Sequence, residues 1–254
     1  PFVYGADLGP ISAYFEAMSG FTTTGLTMLI KEAEFPHVIL FWRSLMQWVG
    51  GIGIVVLFLS AIFGTGKIAK RLFLAEGGGG RVHPGEQSPE ATVRAMARST
   101  WKIYVLYTFI AILLLYFAGM SLWESINHAM TALGTGGFGV LSDSFASYGV
   151  PVLIATLFPM IIGATSFSTH RRVMGGNWKS FFKSYEFKLL MILVVGSTLV
   201  LGWQVGWADG LFSSVSAQTG TGFSSVDVID GPAWRPLEKS ILIFQMVIEG
   251  GFGS

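Results

Sequence analysis

Apolar residues in this 254-residue chain gather in long blocks at about 37–63, 100–119, 149–169 and 187–206, and another block opens near Ala233. Each approaches or exceeds the roughly 20 residues an α-helix needs to cross a hydrocarbon core. Three shorter helix-forming stretches accompany them, at about 11–19 ahead of the first block and at 121–133 and 208–218 between later ones. These are too short to cross a bilayer and predict re-entrant pore helices.

Every short stretch runs into a knot of threonine and glycine, within Phe15 to Thr27, Ile126 to Gly139 and Phe212 to Ser224. Aligned on Gly25, Gly137 and Gly222, the residue six positions earlier always carries a hydroxyl (Ser19, Thr131, Ser216). The residue five positions earlier is always small (Gly20, Ala132, Ala217). The repeating unit is span, pore helix, knot, span. Non-helical backbone at membrane depth survives only where protein buries it or it lines a wet cavity, so three knots in one relation to their spans predict a shared aqueous axis.

Composition supports a bilayer as the solvent. The chain is 52% hydrophobic and only 12% charged, with a mean hydropathy of +0.60, outside the range of soluble globular domains. Its net charge of +1 says little, whereas the sorting of charge says more. Of 16 basic residues, 12 fall in two segments: Lys67, Lys70, Arg71, Arg81, Arg94, Arg98 and Lys102, then Arg171, Arg172, Lys179, Lys183 and Lys188. Short basic loops stay cytoplasmic. Acidic residues, among them Asp7, Glu16, Glu32, Glu34, Glu124, Asp143, Asp209 and Asp227, cluster near the knots, which therefore open outward with a field that favours cations. No nucleic-acid partner is indicated. With no cysteine there is neither a disulfide nor a thiolate metal site.

The knots have the chemistry of a monovalent cation site. A dehydrated ion needs several weak neutral oxygens, and backbone carbonyls with threonine hydroxyls supply them without trapping the ion as a carboxylate would. Glycine admits the φ > 0 conformations that align successive carbonyls, and each pore helix ends with its partial negative charge toward the knot. A single knot reads equally as a Gly-rich turn or a small-residue helix contact; the threefold repetition favours the filter. Small residues recur inside the following spans at Gly50-Gly51, Gly163-Ala164 and Gly250-Gly251. In the first two units they predict close helix packing. In the third, the run from Glu249 to Ser254 predicts a break in the helix below the filter.

Several segments together resemble the Trk/Ktr/HKT superfamily of potassium transporters, closest to the TrkH-type membrane subunit. They are Thr22 to Thr27, the span from Phe41 to Gly53, the second knot, the loop from Arg171 to Trp178 and the terminal Gly-Gly-Phe-Gly-Ser. The resemblance implies an all-α polytopic membrane protein with repeated membrane-pore-membrane, potassium-channel-like units around a pseudo-fourfold pore. Residues 1–66 then form the first unit without its leading span, 67–99 a cytoplasmic linker, 100–172 the second unit and 173–186 another linker. Residues 187–254 form the third unit, cut within its last span; a fragment that does not conduct alone is expected.

Carried onto this chain, the resemblance assigns ion binding to Thr22, Thr23, Thr24 and Gly25; to Gly134, Thr135, Gly136 and Gly137; and to Thr219, Gly220, Thr221 and Gly222. It assigns an intramembrane gating loop to Gly250, Gly251, Phe252, Gly253 and Ser254. Gly25 matches the filter glycine that goes with potassium preference in this superfamily. Gly220 departs from a Thr-Thr-Thr-Gly pattern and loses one side-chain oxygen but no carbonyl. The implied function is potassium uptake across the plasma membrane, with potassium as transported ion, no transition metal, no resident cofactor and no enzymatic activity. Implied partners are the lipid bilayer, a second copy in a homodimer and a cytosolic nucleotide-binding regulatory subunit on the basic face. A coupled secondary transporter of another solute is the alternative; it would need midplane pockets and usually inverted repeats, whereas these repeats run in parallel.

A few residues invite other readings. Arg43 and Gln47 stand one turn apart within a span, where a charge is a functional candidate by default, although pairing of Arg43 with Glu16 accounts for it equally well. Glu249 either pairs with a base to hold the gate or caps the broken helix. His128 occupies the place of Glu16 in its unit, a packing or hydrogen-bonding position. The four histidines lack zinc-peptidase spacing, and Gly77 to Gly80 lacks the frame of a phosphate loop and reads as a linker.

Overall fold

The computed structural model describes residues 1–53, 89–177, 179–226 and 234–252. Among them all regular structure is helical. The first unit holds α1 (Phe2–Gly5), the pore helix α2 (Pro10–Phe21), a 3₁₀ turn at Glu32–Glu34 and the span α3 (His37–Gly51). The second holds α4 (Pro89–Ala118), the pore helix α5 (Leu122–Leu133) and α6 (Val150–Gly163). Two connecting helices follow, α7 (Phe167–Met174) and α8 (Lys179–Lys183). The third unit holds α9 (Tyr185–Val205), the pore helix α10 (Trp207–Gln218) and α11 (Pro236–Phe252).

Local sequence explains the pore-helix starts. Pro10 opens α2 at a position where its missing N–H costs nothing. Ser121 and Glu124 form a reciprocal capping box that satisfies two orphan donors of α5. Gly206, at φ 100°, turns the chain sharply from α9 into α10. The sequence places these helices within two residues of their observed ends.

The spans are long, and they are apolar outward. Arg98–Ala118 and Phe187–Val205 have the length and hydropathy to cross a membrane, yet only 28% and 22% of their most apolar windows are buried. The core helix of a soluble domain would be mostly buried; here Phe109, Phe117, Ile192, Leu199 and Trp203 face outward, as lipid contact requires. α4 begins at Pro89, so the expected linker boundary at residue 99 falls inside one continuous helix.

Two expectations about the spans change. The block at 149–169 is not one helix, because α6 ends at Gly163 and α7 begins at Phe167. A Cβ on Gly163 would overlap the carbonyl of Leu133, the last residue of α5, so the close approach that glycine permits coincides with the end of the helix. His170 then takes up a carbonyl near the freed end, its Nε2 lying 3.0 Å from Ile162 O. The first unit repeats this: α3 ends at Gly51, and a Cβ on Gly50 would overlap the carbonyl of Phe21, the last residue of α2. Close packing at both sites is as the sequence predicts, but it occurs where the helix stops. In the third unit the run from Glu249 to Ser254, where a break is expected, is helical as far as Phe252. Gly253 and Ser254, and the side chain of Glu249, lie outside the described residues.

The units share cores. Ala111 and Leu115 of α4, Ala129 and Ala132 of α5, Met160 of α6, Val194 of α9 and Phe212 and Val215 of α10 bury one another in a cluster spanning units two and three. Ile52, Tyr104 and Leu133 close the joint between units one and two.

Candidate ion-binding site

The three knots have the same backbone. In each, the pore helix ends in a pair of bonds from the knot back into its last turn: Thr23 N to Gly20 O and Thr24 N to Ser19 O, Thr135 N to Ala132 O and Gly136 N to Thr131 O, Gly220 N to Ala217 O and Thr221 N to Ser216 O. This is the Schellman arrangement, which requires a left-handed residue just beyond the helix. Thr23, Thr135 and Gly220 occupy that place, at φ 54°, 51° and 66°. Two residues later the backbone turns left-handed again at Gly25, Gly137 and Gly222, with φ of 79°, 75° and 82°. The hydroxyl or small residues preceding each knot therefore belong to one repeated helix end.

Side chains brace two of the knots. Thr22 Oγ1 donates to Met18 O at 2.8 Å and lies 2.7 Å from Thr24 Oγ1. Thr219 Oγ1 donates to Val215 O at 2.8 Å and lies 2.8 Å from Thr221 Oγ1. Because the first threonine has one proton and gives it to the helix, the second must donate to the first. Thr24 and Thr221 are left with oxygen lone pairs and no proton to present, which suits a cation.

The knots stand side by side in chain order. A Cβ on Gly25 would overlap Gly136 O, and one on Gly137 would overlap Thr221 O. The glycine of one knot thus meets the preceding-residue carbonyl of the next, twice in the same direction, as repeats related by rotation about one axis do. The structure brings all twelve sequence-assigned knot residues into this arrangement, while Gly250, Gly251 and Phe252 lie at the end of α11.

Arg43 resolves toward its structural role. Its Nε lies 2.8 Å from Glu16 Oε1, with both side chains at most 1% exposed, and its other nitrogens donate to Thr27 Oγ1 at 2.9 Å and Gly139 O at 3.2 Å. Glu16 also accepts from Met28 N at 2.7 Å. The pair therefore holds the return strand of knot one and reaches the return strand of knot two, with the guanidinium 4.1 Å from the Phe138 ring centroid. Gln47, one turn on, donates from Nε2 to Gly136 O at 2.6 Å and accepts from Phe138 N at 2.9 Å.

Phe145 is a contact residue that no sequence pattern marks. Its N–H donates to Ser224 O at 2.8 Å, and its ring packs on His128, Phe212 and Phe223 at 4.5–5.1 Å between units two and three. Ser224 and Gly139 are each two residues past a knot glycine, and each gives its carbonyl to a donor from the preceding unit. A lone aromatic residue in a loop offers no periodic signal by which to find it.

The knots themselves carry no formal charge. Behind the second, burial pushes His128 down to about 4 despite the nearby Glu124, so the imidazole stays neutral. Burial raises Glu124, but hydrogen bonds from the Ser121 side chain and backbone and from Tyr148, with His128 adding to them, hold it below the usual carboxylate range. A carboxylate thus persists at the N-terminal end of α5, and among the described residues no cluster of His, Asp or Glu could hold a metal ion.

Re-entrant helices, repeated knots and outward apolar spans define an all-α polytopic membrane protein of potassium-channel-like, membrane-pore-membrane units. Residues 3–185 match the TrkH cation transport protein family, and the chain belongs to it. An uncharacterized cation transporter of Methanocaldococcus jannaschii is 34% identical over 246 residues, 96% of this chain and 49% of that protein. The Trk system potassium uptake protein TrkH of Escherichia coli K12 is 31% identical over 273 residues, 100% of this chain and 54% of that one. The crystal structure of the potassium transporter TrkH from Vibrio parahaemolyticus superposes with a TM-score of 0.77 at 24% identity, over 94% of this chain and 49% of that chain. The chain spans about half the length of these relatives.

Proposed function

We propose that this chain supplies pore units of a plasma-membrane potassium uptake protein of the Trk system. The observation that carries this reading is the threefold knot, with paired left-handed turns and neutral oxygen donors repeated around neighbouring units. Thr22, Thr23, Thr24 and Gly25, Gly134, Thr135, Gly136 and Gly137, and Thr219, Gly220, Thr221 and Gly222 are the ion-binding residues in this reading. Carbonyls and hydroxyls replace the water of a dehydrated potassium ion, and the membrane potential drives entry. In this reading Gly250 to Ser254, helical as far as Phe252, are the segment that gates the pore below the filter. The basic cytoplasmic face receives a cytosolic nucleotide-binding regulatory subunit, and the transporter works as a homodimer.

Rubidium uptake by the full-length protein in cells lacking other potassium uptake tests this, with sodium as competitor. Uptake that resists sodium and disappears in Gly25→Asp is expected, because an added side chain at φ 79° would overlap Gly136 O and place a charge in the filter. Uptake indifferent to that substitution would move the reading to a transporter of another solute.

A further inference from the structure

Two knots brace themselves and one does not. Knots one and three carry threonine three and one positions before the knot glycine, and in each the two hydroxyls bond each other and the pore helix. Knot two has Gly134 and Gly136 at those positions and no hydroxyl for the task. There is also no room for one: a Cβ on Gly136 would strike the Gln47 amide, and a Cβ on Gly134 would strike the Gln47 carbonyl.

The Gln47 amide lies where the threonine pair is missing. It comes from the preceding unit, is fully buried, and uses both ends. Its Nε2 donates to the carbonyl of the peptide before Gly137, and its Oε1 accepts from the N–H of the peptide after it. The knot glycine is therefore gripped on both sides by one rigid planar group. We propose that Gln47 is a specificity-determining positioning residue, an amide that stands in for the threonine brace and fixes the second filter strand against collapse around a smaller ion. This rests on the potassium reading above. Discrimination between monovalent cations depends on the number and field of the ligands, and a strand free to move inward would lose that control.

The same assay in the full-length protein tests the proposal through a ratio. Gln47→Leu removes both bonds at similar volume. It is expected to lower the rubidium-to-sodium uptake ratio about tenfold, the equivalent of one net hydrogen bond, with the amount of protein in the membrane unchanged. Gln47→Glu is isosteric. Its neutral carboxyl can donate to Gly136 O and accept from Phe138 N, while its ionised form can only accept. Its ratio should therefore rise toward wild type as external pH falls from about 8 to about 5, a range that covers a carboxyl raised by burial. The other titratable groups facing this end of α3 and knot two are Arg43 with Glu16, Tyr104 and His128; they are the same in the wild type, whose ratio at each pH is the control. An unchanged ratio in Gln47→Leu would overturn the proposal. So would a parallel fall of uptake and membrane-inserted protein in both variants at constant ratio, the mark of a purely structural residue. Absence of rubidium uptake by the wild type would instead overturn the potassium reading.

Discussion

Each knot depends on residues held where their type is disfavoured or their partner is fixed. Thr23 and Thr135 are β-branched residues at φ 54° and 51°, a conformation that costs roughly 1–2 kcal/mol for a residue with a Cβ. The third unit has Gly220 at the same place, so the departure from a Thr-Thr-Thr-Gly pattern removes strain along with an oxygen. The hydroxyl pair is a second constraint. Thr219→Val keeps the shape but removes both bonds and leaves the buried Thr221 hydroxyl without its acceptor. A loss of about 1–3 kcal/mol is expected, read as a lower thermal midpoint of the full-length protein in detergent, with a larger fall than for Thr22→Val at the exposed equivalent. Equal effects at the two sites would show that burial does not govern the brace. The glycine and hydroxyl repeat was legible because it recurs along the chain. The Gln47 contact was not, since it joins residues about 90 apart and local spacing says nothing about such a partner.

At the scale of elements, helix identity was legible and helix termination was not. Short apolar stretches marked α2, α5 and α10 because length alone separates a pore helix from a crossing one. The stops at Gly51 and Gly163 arise from tertiary contact with the ends of neighbouring pore helices, which propensity does not register, and the glycines of α11 meanwhile stay helical through Phe252. The buried Glu16–Arg43 ion pair joins α2 to α3. Removing one partner strands a buried charge, at a typical cost of about 3–5 kcal/mol, whereas replacing both can be nearly neutral. Glu16→Gln and Arg43→Met are each expected to lower the thermal midpoint of the full-length protein, and the double variant to recover much of the loss. If the two losses simply add in a double-mutant cycle, the pair does not couple the helices.

At the scale of the whole molecule, the sorting of basic and acidic residues predicts one direction, knots outward and basic segments inward. Because these 254 residues contain no cysteine, single cysteines introduced here report on their own surroundings. An impermeant maleimide should label exposed Ser147→Cys in intact cells and Lys183→Cys only after permeabilisation; the reverse pattern would invert the topology. The knots meet one another in sequence, Gly25 beside Gly136 O and Gly137 beside Thr221 O, and their carbonyls and hydroxyls have the chemistry of a potassium ligand set. Anomalous diffraction from crystals of the full-length protein grown in rubidium tests that claim most directly. Rubidium is expected on the axis shared by the three knots, liganded by oxygens of Thr22 to Gly25, Gly134 to Gly137 and Thr219 to Gly222. Ordered rubidium elsewhere in the membrane region, with the knots empty, would contradict it.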